Sequence, residues 1–349
     1  MNHTYRLLGG PGSPYSLKMR AILRYRQIAH RWIVPRGYLG TSGELQEAGK
    51  RIIPVLQYPD GSYWADSTPL AYALEARHPD QRSIIPTDPG LAFLSHLIED
   101  MADEFLVMSM FDMRWGSAAD QDFCSRRQLS GWLSPMPTQA FNAAVDKFIA
   151  RQVANRAKWV QADNQLLLAD FYARLLPVIE AMLGERLFLF GSRPSLADFG
   201  LYGQLSQCAI DPTAAALMRA QAPRTFQWTQ TMDDLSGIDG DWAPCDAPNP
   251  AVDVLLQLAG EFHLPLLMAH AKACLDDAPS FEARLDGRTW RAGRPERYKL
   301  KCLLWLRHEL ATLPAASLDW LRPLLQAQGC WDALQADELD AHYQPMAPF

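Results

Sequence analysis

Tyr5-Arg6-Leu7-Leu8-Gly9-Gly10-Pro11-Gly12-Ser13-Pro14-Tyr15-Ser16-Leu17 reads as a short strand, a glycine–proline turn and the opening of a helix. Pro14 suits the first helical position, because the N–H it lacks would be unpaired there in any case. Ser13 then stands where a helix cap is expected. Leu17, Ala21 and Ile28 carry an apolar side at helical spacing as far as about Ala29, and His30 to Pro35 reads as a second strand. Leu45 to Lys50 is a weak helix. Ile52 to Tyr58 and Ser62 to Ala65 flank Pro59-Asp60-Gly61, a reversal that favours a hairpin. A helix over Ser67–Arg77 closes the unit.

That order, β-α-β-α-β-β-α, predicts an α/β thioredoxin-like domain over residues 1–80. His78-Pro79-Asp80 and Ile85-Pro86-Thr87-Asp88-Pro89-Gly90 make a continuous helix unfavourable, so a linker is expected at 81–90. Beyond it the pattern is helical: about Leu91–Met110, Thr138–Val160, Asn164–Leu183, Leu196–Cys208, Thr213–Gln221, Thr225–Asp233 and Pro250–Cys274. An all-α domain is therefore expected over 91–237. A break rich in Gly, Pro and Asp, Ser236 to Pro250, sets off a helical extension over 238–349. Within it, Phe281–Leu285 and Arg288–Arg291 flank Asp286-Gly287, the signature of a two-residue hairpin turn. Helices are expected again at about Glu296–Leu313 and Leu318–Ala327.

Composition narrows the function classes. The chain has 349 residues, 48% of them apolar and 21% charged, enough to bury one or two sizeable cores. Its net charge of −6 supplies no basic stripe for nucleic acid or an anionic membrane. Met1 to Arg6 has neither a basic nor an apolar leader region, and Leu255–Cys274 is interrupted by Glu261, His263, His270 and Lys272, which argues for a buried helix rather than a membrane span. The six cysteines form no Cys-x-x-Cys pair. Reduced thiols and a cytoplasmic location are expected, with no disulfide framework and no metal site.

Three places can meet a ligand. A serine at a helix N-terminus caps the helix, and its hydroxyl with the free N–H groups also suits an anion; a thiol held there ionises more readily. Pro54 in Ile53-Pro54-Val55-Leu56 suits a strand start, or a cis bond that would turn the Ile53 backbone outward toward an extended peptide. Asp66-Ser67-Thr68 opens the next helix, and a carboxylate beside a hydroxyl can hold both ends of an amino-acid zwitterion. Lys50 and Arg51 precede the strand and could meet a second carboxylate. Ser195-Leu196-Ala197-Asp198 is a capping box and is assigned to folding. Glu99, Asp100, Asp103 and Glu104 read as a solvated acidic face, because no histidine stands at a metal-ligand spacing beside them.

Ser13-Pro14-Tyr15-Ser16, Ile53-Pro54-Val55-Leu56, Asp66-Ser67 and Ser195–Phe199 together resemble the cytosolic glutathione transferases of the serine type, from the first residues to about residue 235. The resemblance implies glutathione as co-substrate and no metal. It puts the thiolate beside catalytic Ser13, the cysteinyl backbone against Ile53 and Pro54, and the γ-glutamyl group on Asp66 and Ser67. Lys50 or Arg51 would then lie near the glycyl carboxylate. Asp100 is an outside candidate for glutathione across a dimer interface, so a homodimer is open. The second substrate would be a small apolar electrophile, in a pocket of Phe105, Met108, Phe111 and Trp115, with Met113 and Tyr202 as further candidates. Two other readings compete: a non-catalytic binding or assembly protein that keeps the fold, which the extension favours, and a glutathione-dependent isomerase or lyase of a catabolic pathway.

Overall fold

The computed structural model describes residues 4–35, 43–79, 82–132, 135–159 and 161–349. Asp80 and Gln81, where the first domain is expected to give way to the linker, and Val160, the expected end of a helix, lie outside the described residues. The N-terminal unit holds β1 (Tyr5–Leu8), α1 (Pro14–Tyr25), β2 (His30–Ile33), α2 (Glu44–Glu47), β3 (Val55–Gln57), β4 (Tyr63–Ala65) and α3 (Ser67–Arg77). Its sheet has the order β2-β1-β3-β4, with β1–β2 parallel and the other pairs antiparallel. The βαβαββα order is the expected one. The first helix is shorter than its apolar pattern: Gln27 takes a left-handed φ of 54°, which ends α1 before Ile28.

The helical region opens with α4 (Pro89–Met101), capped by the Asp88 carboxylate, which accepts from the Leu91 N–H. It runs through a π-helical stretch, Ala102–Leu106, into α5 (Val107–Gly116). Then follow α6 (Ala118–Gly131), α7 (Thr138–Trp159), α8 (Ala162–Glu185), α9 (Leu196–Cys208), α10 (Pro212–Gln221) and α11 (Pro223–Thr231). The sequence pattern misses α6, because it buries little more than Asp120, Cys124 and Ser125 and shows no apolar stripe. The capping box of α9 is formed in full, Ser195 and Asp198 each accepting from the other's backbone N–H. With that box made, α9 is buried along its whole length and packs on α1 and α4, joining the two units.

The extension contributes α12 (Ala251–Leu258), a π-helical stretch Ala259–His263, α13 (Leu264–Leu275), β5 (Phe281–Leu285), β6 (Arg288–Ala292), α14 (Arg297–Thr312) and α15 (Ala315–Ala327). Asp286 (φ 47°) and Gly287 (φ 70°) are both left-handed, as the two-residue hairpin turn requires. Ala251–Leu275 is, among the described residues, the one helical run long and apolar enough to cross a membrane, and here it is core. Three of its polar groups are answered within the protein. Glu261 pairs with Arg174, His263 bonds Asp100, and the His270 ring accepts the Glu296 N–H.

One hydrophobic core runs through all of this. Leu7 and Leu97 share it with Leu255, Phe262, Trp290, Leu303 and Leu325 of the extension. Phe105 sits at its centre, its ring 4.7 Å from Phe171, 5.7 Å from Phe262 and 6.3 Å from Trp290.

A buried ion pair ties α4 to α14. His96 is 1% exposed and its Nδ1 lies 2.7 Å from Glu309 Oε2, with the Trp305 ring 4.5 Å from its own. Burial alone would depress the imidazole, but the Glu309 charge and hydrogen bond outweigh it and raise the His96 pKa to about 9. A folded-state value above the unfolded one gives stability that is complete below about pH 6.5 and is lost as the pH rises through 9. The stake is at most about 3–4 kcal/mol. Glu309→Gln is expected to flatten the fall in melting temperature between pH 6.5 and 9; equal slopes for the two proteins would contradict this pairing.

Candidate functional site

A cavity of about 470 Å³ lies where α1 and α3 of the first unit face α4, α5, α6, α7 and α14. Ser13, Ile53, Pro54, Asp66 and Ser67 all line it. These five candidates are drawn together from three separate turns of the N-terminal unit.

Ser13 caps α1, its Oγ accepting the Ser16 N–H at 3.3 Å. Accepting that bond leaves the hydroxyl hydrogen free to donate, so capping and ligand binding coexist on one group. Its backbone N–H is held by Gly10 O at 3.0 Å. Ser16 is buried, and its hydroxyl accepts the Gly10 N–H at 3.4 Å, so it braces the turn. The turn is also pinned from the helical region: Arg114 Nη1 donates to Gly12 O at 3.0 Å and its Nε to Asp211 at 2.5 Å, while Gln207 donates to Pro11 O at 3.2 Å. A methyl group on Gly12 would fall 2.4 Å from Gln128 Cγ, and one on Gly10 3.1 Å from the Trp132 ring. Both positions are tightly packed against the side chains at the C-terminal end of α6, Gln128 and the capping Trp132.

The Ile53–Pro54 bond is cis. Among the described residues, Ile53 makes no backbone hydrogen bond. Asp66 has φ 85°, a conformation that costs a non-glycine residue about 1–3 kcal/mol. Two contacts hold it there. The Tyr298 hydroxyl of α14 lies 2.9 and 3.0 Å from the two Asp66 carboxylate oxygens, and the neighbouring Ala65 exchanges both backbone bonds with Phe349, at 2.7 and 3.2 Å. Burial raises the Asp66 carboxyl, against the lowering effects of the Tyr298 bond and Lys18.

Behind this corner lies a buried charge cluster. Lys18 Nζ reaches Glu99 and Asp103 (2.6 Å to the latter), Lys299 Nζ reaches Glu104 at 2.9 Å, and His263 reaches Asp100 at 2.7 Å. The acidic run is therefore not a solvated face. The expected helix is there, but its charges point inward because Lys18 and Lys299, distant in sequence, arrive to meet them. Asp100, Asp103 and Glu104 all line the cavity, and burial raises the Glu104 carboxyl to about 7 against the Lys299 charge.

The apolar wall differs from the expected one. Phe111 lines the cavity, but Phe105, Met108 and Trp115 do not: Phe105 and Met108 sit in the main core, and Trp115 packs with Cys124 and Phe148. Met113 packs against the core and buried Tyr202 donates to Asp233, so neither faces the cavity. The face toward the cavity is Asp100, Asp103, Val107, Met110, Phe111 and Arg114, one stripe of the α4–α5 helix; the aromatic spacing points to the opposite side. Trp132 and Phe148, and from the extension Tyr298, Cys302 and Trp305, complete the wall. Tyr298, Cys302 and Trp305 recur at helical spacing in the sequence, which is the signal that could have marked them. Lys50 and Arg51 are also absent from the lining. Lys50 follows the turn that ends α2, its N–H bonded to Leu45 O, and its ammonium stands 6.0 Å from the rings of Trp64 and Phe349, while Arg51 is exposed.

A thioredoxin-like sheet joined to a helical domain, with a cavity at the N-termini of α1 and α3, defines a class of two-domain proteins. Residues 7–82 match the glutathione S-transferase N-terminal domain family and residues 161–231 the glutathione S-transferase C-terminal domain family. The chain belongs to the glutathione S-transferase superfamily. Neither match reaches α5, α6 and α7 or the extension. No curated protein matches the chain by sequence. Among solved structures, the chain is similar to a glutathione S-transferase of Methylobacterium radiotolerans in complex with glutathione sulfonate, at 17% identity over 66% of this chain and 90% of that one, TM-score 0.42. It is also similar to a tau class glutathione S-transferase of mango (17%, 72% and 91%, 0.40) and to the beta-etherase LigF of Sphingobium sp. strain SYK-6 (16%, 72% and 98%, 0.45).

Proposed function

We propose that this chain is a glutathione-dependent enzyme that ionises the glutathione thiol beside Ser13 for attack on an apolar electrophile. The observation that carries the reading is the convergence on one cavity of the Ser13 hydroxyl, the unpaired Ile53 backbone and the Asp66-Ser67 helix start. In an extended γ-glutamyl-cysteinyl-glycine, the cysteinyl main chain would exchange bonds with Ile53, and the γ-glutamyl group would lie at the N-terminus of α3. The thiol would then reach Ser13, whose hydroxyl donates to the sulfur while the N-terminus of α1 favours its negative charge.

The thiol proton leaves to solvent. The thiolate forms a bond to the electrophilic carbon, and the leaving group departs with the electron pair. Val107, Met110, Phe111, Trp132 and Phe148 give that carbon an apolar setting with little hydrogen-bond discrimination. Tyr298, Cys302 and Trp305 bring the extension into the same pocket, so it shapes the choice of electrophile.

The test is retention on immobilised glutathione, together with ultraviolet thiolate absorbance of bound glutathione near neutral pH. Retention with a thiolate signal is expected. Retention without any thiolate signal would favour a binding protein that keeps the fold, and no retention would remove glutathione as the ligand.

A further inference from the structure

Charge is unevenly distributed around the cavity. The acids that line it, Asp66, Asp100, Asp103 and Glu104, stand at the start of α3, along α4 and in the π-helical stretch, and they meet Tyr298, His263, Lys18 and Lys299 respectively. Among the described residues, three basic side chains line it as well. His96 is paired with Glu309, and Arg114 donates from all three of its nitrogens, to Asp211, Gly12 O and Gln207. The third, Arg151 of α7, has neither an ion pair nor a side-chain hydrogen bond among the described residues. Its own helix offers no partner. The positions three and four residues away are Lys147, Phe148, Ala154 and Asn155, so no carboxylate sits a turn above or below it. Other arginines of α6 and α7 are answered, Arg126 by Asp122 and Arg156 by Asp112.

Phe148 lies one turn before Arg151 and Gln152 directly follows it, and both also line the cavity. The Gln152 side-chain carbonyl accepts from Asn155 at 3.1 Å, which leaves its amide N–H groups free to donate. The helix that carries these residues packs on α5 and α6. This cation therefore belongs to the apolar wall and not to the elements that carry Ser13, Ile53 and Asp66.

We propose that Arg151 selects an electrophile with an aromatic body and a carboxylate at its far end, the guanidinium and the Gln152 amide holding that carboxylate. This rests on the glutathione reading above and deepens it by naming the class of second substrate. A ring laid against Phe111, Trp132 and Phe148 has Arg151 one helical turn further along the wall. The planar guanidinium matches a carboxylate with two parallel hydrogen bonds. The acids of α4 disfavour an anion at their end of the cavity, so the charge pattern also fixes which end of the ring is presented to the thiolate.

Glutathione conjugates that need no turnover are the probes: S-methylglutathione, S-(para-carboxybenzyl)glutathione and its neutral para-carboxamide counterpart. Calorimetry on the full chain is expected to show the carboxylate conjugate bound about 5–20-fold more tightly than the carboxamide, less than for a buried pair because Arg151 is exposed. The preference should shrink as salt is raised. Arg151→Gln should abolish it while leaving the affinity for S-methylglutathione unchanged. Arg151→Lys should keep part of it, having the charge without the planar fork. No preference in the wild type, or one that survives in Arg151→Gln, would overturn the proposal and leave the glutathione reading standing. Weakening of all the conjugates alike in Arg151→Gln would also overturn it, because the arginine would then be meeting the peptide's own carboxylate. If the wild type binds none of the three, the glutathione reading itself is wrong.

Discussion

A chain ended at Gly240 is expected to be recovered as insoluble or strongly destabilised protein. The deletion removes Phe262 and Trp290 from Phe105, and Leu303 and Leu325 from the core they share with Leu97. It also strips partners from buried charges: Glu104 loses Lys299, Asp100 loses His263, and His96 loses Glu309. Removing one member of a buried pair costs about 3–5 kcal/mol. Three such losses approach the whole stability of a typical domain, about 5–15 kcal/mol, before any apolar exposure is counted. The check is solubility, followed by the melting temperature of whatever remains soluble. A soluble fragment with the melting temperature and kinetics of the full chain would show the extension to be an independent appendage.

Ser13→Ala is expected to lower turnover of a generic electrophile by about 10–1000-fold, the range for deleting one donor to a developing anion. Glutathione affinity should change little, because Ile53, Asp66 and Ser67 remain. The substitution also removes the cap that accepts the Ser16 N–H, at about 1 kcal/mol, so the melting temperature should fall slightly. Steady-state kinetics with saturating glutathione separate the two effects: loss in kcat belongs to the thiolate and loss of folded protein to the cap. Full activity in Ser13→Ala, with activity abolished in Tyr5→Phe or Ser16→Ala, would move the chemistry elsewhere. Tyr5 already has a structural partner, its hydroxyl lying 2.9 Å from His78 Nε2.

The elements with local signals were legible in the sequence. Pro14 after Ser13, Asp286-Gly287 and the Ser195–Asp198 box each fix a turn or a helix start from within a few residues, and each stands where expected. Ile53, Pro54, Asp66 and Ser67 likewise come together on one cavity. What was not legible depends on pieces far apart in the chain. Glu99, Asp100, Asp103 and Glu104 resemble a wetted helix face until Lys18, His263 and Lys299 are brought to them, the last across an interval of 195 residues. The expected pocket wall differs from the observed cavity lining for a similar reason. Aromatic residues mark whichever helix face is most buried, and here that is the core face of Phe105, while smaller residues such as Val107 and Met110 face the cavity. Lys50 and Arg51 carry the right charge, but the turn that precedes them leaves both outside the lining.

The pairing of Ala65 with Phe349 has a consequence for the free protein. β4 is the outermost strand of the four-stranded sheet, with its outer side open to pairing. An open strand of this kind is a template on which another chain can add, which is how soluble proteins begin to aggregate. Phe349 closes Ala65 on both its N–H and its C=O, so the chain covers its own sheet margin. Met346 and Phe349 also line the cavity. A movement that widened the cavity on this side would bare the strand in the same step. The short segment that covers the sheet margin at Ala65 is thus also part of the cavity wall.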